Sequence, residues 1–99
     1  MFKYTRQSLK KVEEIFKEMS FKILYEKGNF QSGYCIVDNK DIIVINKFFD
    51  IEGRINVLVE IIEKLNIQEA GLSENNVQTL RKLRKLNLKS DQVEKVEID

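Results

Sequence analysis

The unbroken β-branched run Ile42-Ile43-Val44-Ile45 constrains this chain more than any other stretch. Side chains along a strand alternate between its two faces, so a run without a polar residue puts hydrophobic atoms on both. Such a strand belongs inside a sheet, with both faces covered, or with one face under a helix and the other under a partner. The chain has 99 residues, 42% of them hydrophobic and 33% charged. That is material for one core and one solvated shell, and it excludes disordered and collagen-like classes.

The elements around the run follow from changes of period. From Thr5 to Ser20, Leu9, Val12, Ile15, Phe16 and Met19 recur at helical spacing among charged residues, and Glu13 stands one turn before Lys17, the geometry of a favourable pair. From Phe21 the period becomes two, with Phe21, Ile23 and Tyr25 on one side, until Lys27-Gly28-Asn29 signals a turn. Segments 30–37 and 41–47 flank Asp38-Asn39-Lys40, where Asn39 can adopt a left-handed conformation and close a hairpin. Asp50 then reads as the N-cap of a helix from Ile51 to about Leu65. The apolar arc of that helix is so wide that only Glu52, Asn56, Glu60, Glu63 and Lys64 form a polar stripe, which makes it the central helix. After Gly71, Ser73 is placed to cap a third helix to about Leu86, with Val77, Leu80, Leu83 and Leu86 at every third position. The expected fold is α+β in the order α-β-β-β-α-α, one small domain over residues 1–88 with an antiparallel sheet of at least three strands packed on helices. Residues 89–99 read as a polar carboxy-terminal segment, a tail, a short helix or an edge strand, whose period is not fixed; with apolar residues on both faces of the third strand, either a carboxy-terminal element or a homodimer is expected to bury the second face of the sheet.

Composition excludes much chemistry. There is no histidine and one cysteine, Cys35, which removes disulfide frameworks, ordinary zinc sites, Cys/His or Ser/His catalysis and a histidine pH switch. Seventeen basic residues against 16 acidic give a net charge of +1, so attraction to polyanions would have to be local. The opening residues have neither a signal-peptide core nor a membrane span, and the expectation is a cytoplasmic protein without contact to a membrane. An unpaired Cys35 fits a reducing compartment, and within its strand it reads as a small buried residue.

Four features remain as candidate sites. Arg54, Asn56, Glu60 and Glu63 could form a polar site on the central helix, with paired carboxylates holding a metal or acting as acid and base and Arg54 holding an anion, or simply the solvated face of that helix. Arg81, Lys82, Arg84, Lys85 and Lys89, with no acidic residue among them, could bind an anionic partner such as nucleic acid, or simply form a solvated face that complements a helix dipole. Phe48-Phe49 could fill the core or present a ring to a partner. The stretch from Gly28 to Tyr34 lacks phosphate-loop spacing, and Gly33 there reads as a point of close backbone approach. No catalytic residue, metal ligand or cofactor is expected.

Gly33-Tyr34, then Ile42-Ile43-Val44-Ile45-Asn46, Arg54 and Leu58-Val59-Glu60-Ile61-Ile62-Glu63-Lys64-Leu65 resemble the amino-terminal part of the ImmA/IrrE-type metallopeptidase family. In that family a hairpin ending in an apolar strand and Asn is followed by Arg and a helix bearing HExxH. The likeness spans residues 28–65. It places Glu60 where the general-base glutamate stands, and Val59 and Glu63 where two zinc-binding histidines stand. Valine cannot coordinate zinc, so the resemblance implies a peptidase-like scaffold without peptidase chemistry. The chain is also similar to small proteins of bacterial genomes, which implies no activity. The expectation that follows is a non-enzymatic protein-interaction module, acting on a protein partner or as a homodimer. The alternatives are nucleic-acid binding through the basic third helix and a degenerate peptidase-like scaffold.

Overall fold

The computed structural model describes residues 2–85; the 89–99 segment, Leu86 and Lys89 lie outside the described residues. The order is α1 (Arg6–Glu18), β1 (Lys22–Glu26), β2 (Gly33–Val37), β3 (Lys40–Asn46), α2 (Ile51–Lys64) and α3, described over 74–85. These form one α+β domain. The apolar stripe of α1 buries Leu9, Val12, Ile15 and Phe16, and Thr5 caps its first turn by accepting from the Ser8 amide. Asp50 caps α2 as its sequence predicts, accepting from the Gly53 amide at 2.8 Å.

Both helices stop in the same way. Ser20 (φ 67°) and Asn66 (φ 51°) are left-handed, and the amides beyond them return into the helix, Phe21 to the Phe16 carbonyl and Ile67 to that of Ile62. These are Schellman closures, in which the residue after the left-handed one packs back on the last turn. The Phe21 ring accordingly lies 5.4 Å from that of Phe16.

The sheet is mixed, not antiparallel throughout. Its order is β1-β3-β2, with β2 antiparallel to β3 but β1 parallel to it. The apolar run on β3 explains the order, since the strand with hydrophobic residues on both faces takes the centre. From β1 the chain passes the carboxyl end of β3, returns along β2, and turns at Asp38-Asn39 to enter between the two. Asp38 (φ 52°) and Asn39 (φ 62°) are both left-handed, as the tight two-residue hairpin requires. Strand β2 begins at Gly33 rather than Phe30 because residues 27–32 serve as the crossing. Asn46 holds that crossing: its Nδ2 donates to the Gly28 and Phe30 carbonyls at 2.8 and 3.1 Å, its Oδ1 accepts from the Phe48 amide, and its own amide donates to Ser32 Oγ.

The three described helices gather on one face of the sheet. Ile43 and Ile45 are fully buried there against Phe16, Ile55, Leu58, Ile62, Leu80 and Leu83, with Ile23, Tyr25 and Tyr34 at the margin. The opposite face carries Leu24, Ile42, Val44, Cys35 and Val37, none of which joins that core. Cys35 is exposed, not buried, because it points to this second face on an edge strand. Gly33 is likewise not a close approach, since a Cβ placed there would meet nothing within 4 Å.

Candidate functional site

The four residues of the polar site on α2 do not converge. Arg54 and Glu60 are not separated by a whole number of helical turns, so they leave the helix on different sides. The Arg54 guanidinium sits over the Tyr25 ring, 5.1 Å from its centroid, and donates from Nε to the Phe49 carbonyl at 2.9 Å and from Nη2 to that of Lys47 at 3.0 Å. Its donors close the β3–α2 connection. Around it, Arg6, Lys10, Glu13, Tyr25 and Asp50 line a shallow cleft of about 440 Å³. Tyr25 donates its hydroxyl to Glu13 Oε2, and burial, reinforced by that bond, holds the phenol well above its ordinary pKa. The Glu13–Lys17 pair is therefore not made. Lys17 reaches Glu14 instead, at 3.9 Å on an exposed face, where such a pair contributes little.

Glu60 is exposed at a second cleft of about 500 Å³, beside Gln31, Ser32, Tyr34 and Lys64, and pairs with Lys64 at 3.5 Å. Asn56 and Glu63 are exposed on α2 outside that lining. Val59 is buried in the core. Of the positions carried by the peptidase resemblance, one thus faces inward and two face solvent. Among the described residues no group of three or more His, Cys, Asp or Glu is placed to hold a metal ion.

The basic third helix is divided. Arg81 makes a two-pronged contact with Glu69, from Nε at 3.0 Å and Nη2 at 2.9 Å, which holds the Glu69 carboxyl below its ordinary pKa. Arg84 donates to the Ile67 carbonyl. Lys82 lies on another side, beside Phe2, Lys3, Thr5 and Lys11. Two of the five cations are thereby committed to fastening the α2–α3 connection, and Lys82 does not share their surface.

One contact was not legible in the sequence. The Glu18 carboxylate, at the end of α1, accepts from the Ser73 amide at 2.8 Å and from Asn76 Nδ2 at 2.6 Å, at the start of α3. Ser73 thus marks the helix start, but the negative charge there comes from α1. The bond from the Ser73 amide, then that from Asn76, holds the Glu18 carboxyl below its ordinary value. Asn76 is itself buried and also donates to the Glu14 carbonyl.

Two apolar patches remain, the one on the open sheet face bordered by Lys22, Glu26 and Lys40. Phe48 is 72% exposed, while Phe49 is partly covered and touches the start of α2 near Gly53. On the sheet, Val37 is 49% exposed at the hairpin tip and shares the face away from the helices with half-buried Leu24, Ile42 and Val44, while Ile36, 62% exposed, alternates to the other face. Among the described residues no helix is long and apolar enough to cross a membrane. Comparison with family models, with characterised proteins and with solved structures finds no match to this chain.

Proposed function

We propose that this chain is a non-enzymatic protein-interaction module that works by self-association through the uncovered side of its sheet. One observation carries the reading: apolar side chains absent from the core collect on one surface, where Leu24, Cys35, Val37, Ile42 and Val44 share a sheet face. Scattered exposed apolar residues are ordinary, but a contiguous patch on one side of a sheet is the mark of an interface. The polar candidates support no competing reading as strongly, because Arg54, Arg81 and Arg84 already serve backbone carbonyls or Glu69. A cytoplasmic setting, in which the exposed Cys35 thiol stays reduced, fits the module.

Light scattering on the full chain tests this. At low salt the mass exceeds the 11.7 kDa of one chain, and high salt leaves it unchanged or raises it, because burial of apolar surface is not screened. Replacing Val37→Glu together with Val44→Thr returns the mass to that of one chain. A single-chain mass for the native protein at both salts overturns the reading. So does a mass that rises only on adding nucleic acid and falls as salt increases, which would transfer the function to the lysines and arginines of α3.

A further inference from the structure

We infer that β2 is an assembly edge: it pairs antiparallel with β2 of a second copy of this chain, about a two-fold axis through Cys35, joining two three-stranded sheets into one. The inference rests on the self-association reading and adds to the uncovered face a contact along the sheet edge, with the strand and register that would carry it.

The two edges of the sheet differ in a way that selects β2. Strand β1 begins at Lys22 and ends at Glu26, charges of the kind that blunt an edge. Strand β2, Gly33-Tyr34-Cys35-Ile36-Val37, carries no charge and no proline, and among the described elements it pairs with β3 alone. Its outward hydrogen-bonding groups follow from the hairpin. In a two-residue hairpin the closing pair, here Val37 and Lys40, exchanges both of its bonds, and such pairs alternate along the ladder. Val37, Cys35 and Gly33 therefore direct their amides and carbonyls to β3, while Tyr34 and Ile36 direct theirs outward, where no described strand receives them.

An antiparallel copy centred on Cys35 matches every one of these groups. Tyr34 faces the partner's Ile36 and Ile36 the partner's Tyr34, two pairs that exchange four backbone bonds. Aromatic and β-branched residues opposite one another are a favourable cross-strand combination. On the open face Gly33 lies opposite the partner's Val37, whose side chain enters space that is empty around the Gly33 Cα. Just outside the strand, Asp38 stands opposite the partner's Ser32, so no like charges meet. Any other antiparallel register brings Tyr34 opposite its own copy or leaves outward groups unmatched. The contact is isologous, satisfying both copies at once and closing at two chains.

The register makes a distinctive prediction, because the one cysteine of the chain lies on the axis. Facing residues at a pair that exchanges no backbone bonds have Cα atoms about 4.5 Å apart, inside the disulfide range. Treatment of the full chain with diamide, which takes two electrons and two protons from two thiols and becomes the hydrazine, joins Cys35 to the partner's Cys35 and gives a covalent dimer on a non-reducing gel. The double variant Cys35→Ser, Ile36→Cys moves the thiol one position, to a diagonal pair about 7 to 8 Å apart, and cross-links at least about tenfold more slowly. Ile36→Lys, at a position that touches little of its own fold, returns the mass to that of one chain with an unchanged circular dichroism spectrum. An assembly whose Cys35 cross-links no faster than the shifted thiol, or that survives Ile36→Lys, overturns the edge while leaving self-association standing. A single-chain mass overturns both.

Discussion

At the scale of single residues, two polar side chains do work that apolar neighbours cannot. Asn46 is buried and holds two carbonyls of the crossing between β1 and β2 and the Phe48 amide of the β3–α2 connection. Replacing Asn46→Ala leaves those groups to compete for water at the end of the sheet. Unmet buried polar groups cost about 1–3 kcal/mol each, so the expected loss is about 2–3 kcal/mol in chemical denaturation. A loss under about 1 kcal/mol would show that the crossing holds itself. Glu18 acts across a longer reach, fastening the start of α3 to the end of α1. Its carboxyl titrates below its ordinary value when folded, so it binds more protons in the unfolded chain. The stability it contributes is therefore complete above about pH 4.5, the ordinary value, and is lost as pH falls through the lower folded value. Glu18→Gln should lower the melting temperature at pH 7 by a few degrees, and the two proteins should converge in strong acid. An equal gap at pH 7 and in strong acid would mean that shape, not charge, is what Glu18 supplies. The sequence displayed Glu18 and Asn76 plainly but gave no reason to join them, because their contact depends on how α3 docks.

At the scale of elements, periodicity was a sound guide wherever an element chooses its own residues. The stripe on α1, the alternation of Ile23 and Tyr25, the wide arc of α2 and the Asp50 cap are all found as the spacing predicts. The spacing of three on α3 is also helical, with Leu80 and Leu83 in the core. Helix ends were less visible. Ser20 occupies a left-handed position that glycine or asparagine usually marks, and nothing in the sequence signals it. Left-handed backbone costs a residue with a Cβ about 1–2 kcal/mol relative to its favoured conformations, while glycine adopts it freely. Ser20→Gly should accordingly raise stability by up to about 1 kcal/mol, read as an increase in the denaturation midpoint at constant slope. A decrease would mean that unfolded-chain entropy outweighs the relieved strain at this position.

At the scale of the whole molecule, three helices cover one side of a three-stranded sheet and leave the other open among the described residues. If the open side associates, thermal stability is linked to concentration by mass action. The native chain should then melt at a higher temperature as its concentration rises, and the Val37→Glu, Val44→Thr variant should melt at one temperature throughout. The sequence by itself determined the helix or strand character of the described elements, the centrality of β3, and the absence of histidine chemistry, since these depend on local spacing and on residue types. Only the tertiary structure decided that β1 runs parallel to β3, that Cys35 is exposed, that Arg54 and Glu60 occupy different clefts, and that the cations of α3 divide. The reason is physical: a hydrophobic pattern specifies which face of an element is buried, but not which neighbour buries it. Direction, edge and partner are fixed by where the connections pass and which polar groups, such as Asn46 and Glu18, are satisfied when they do.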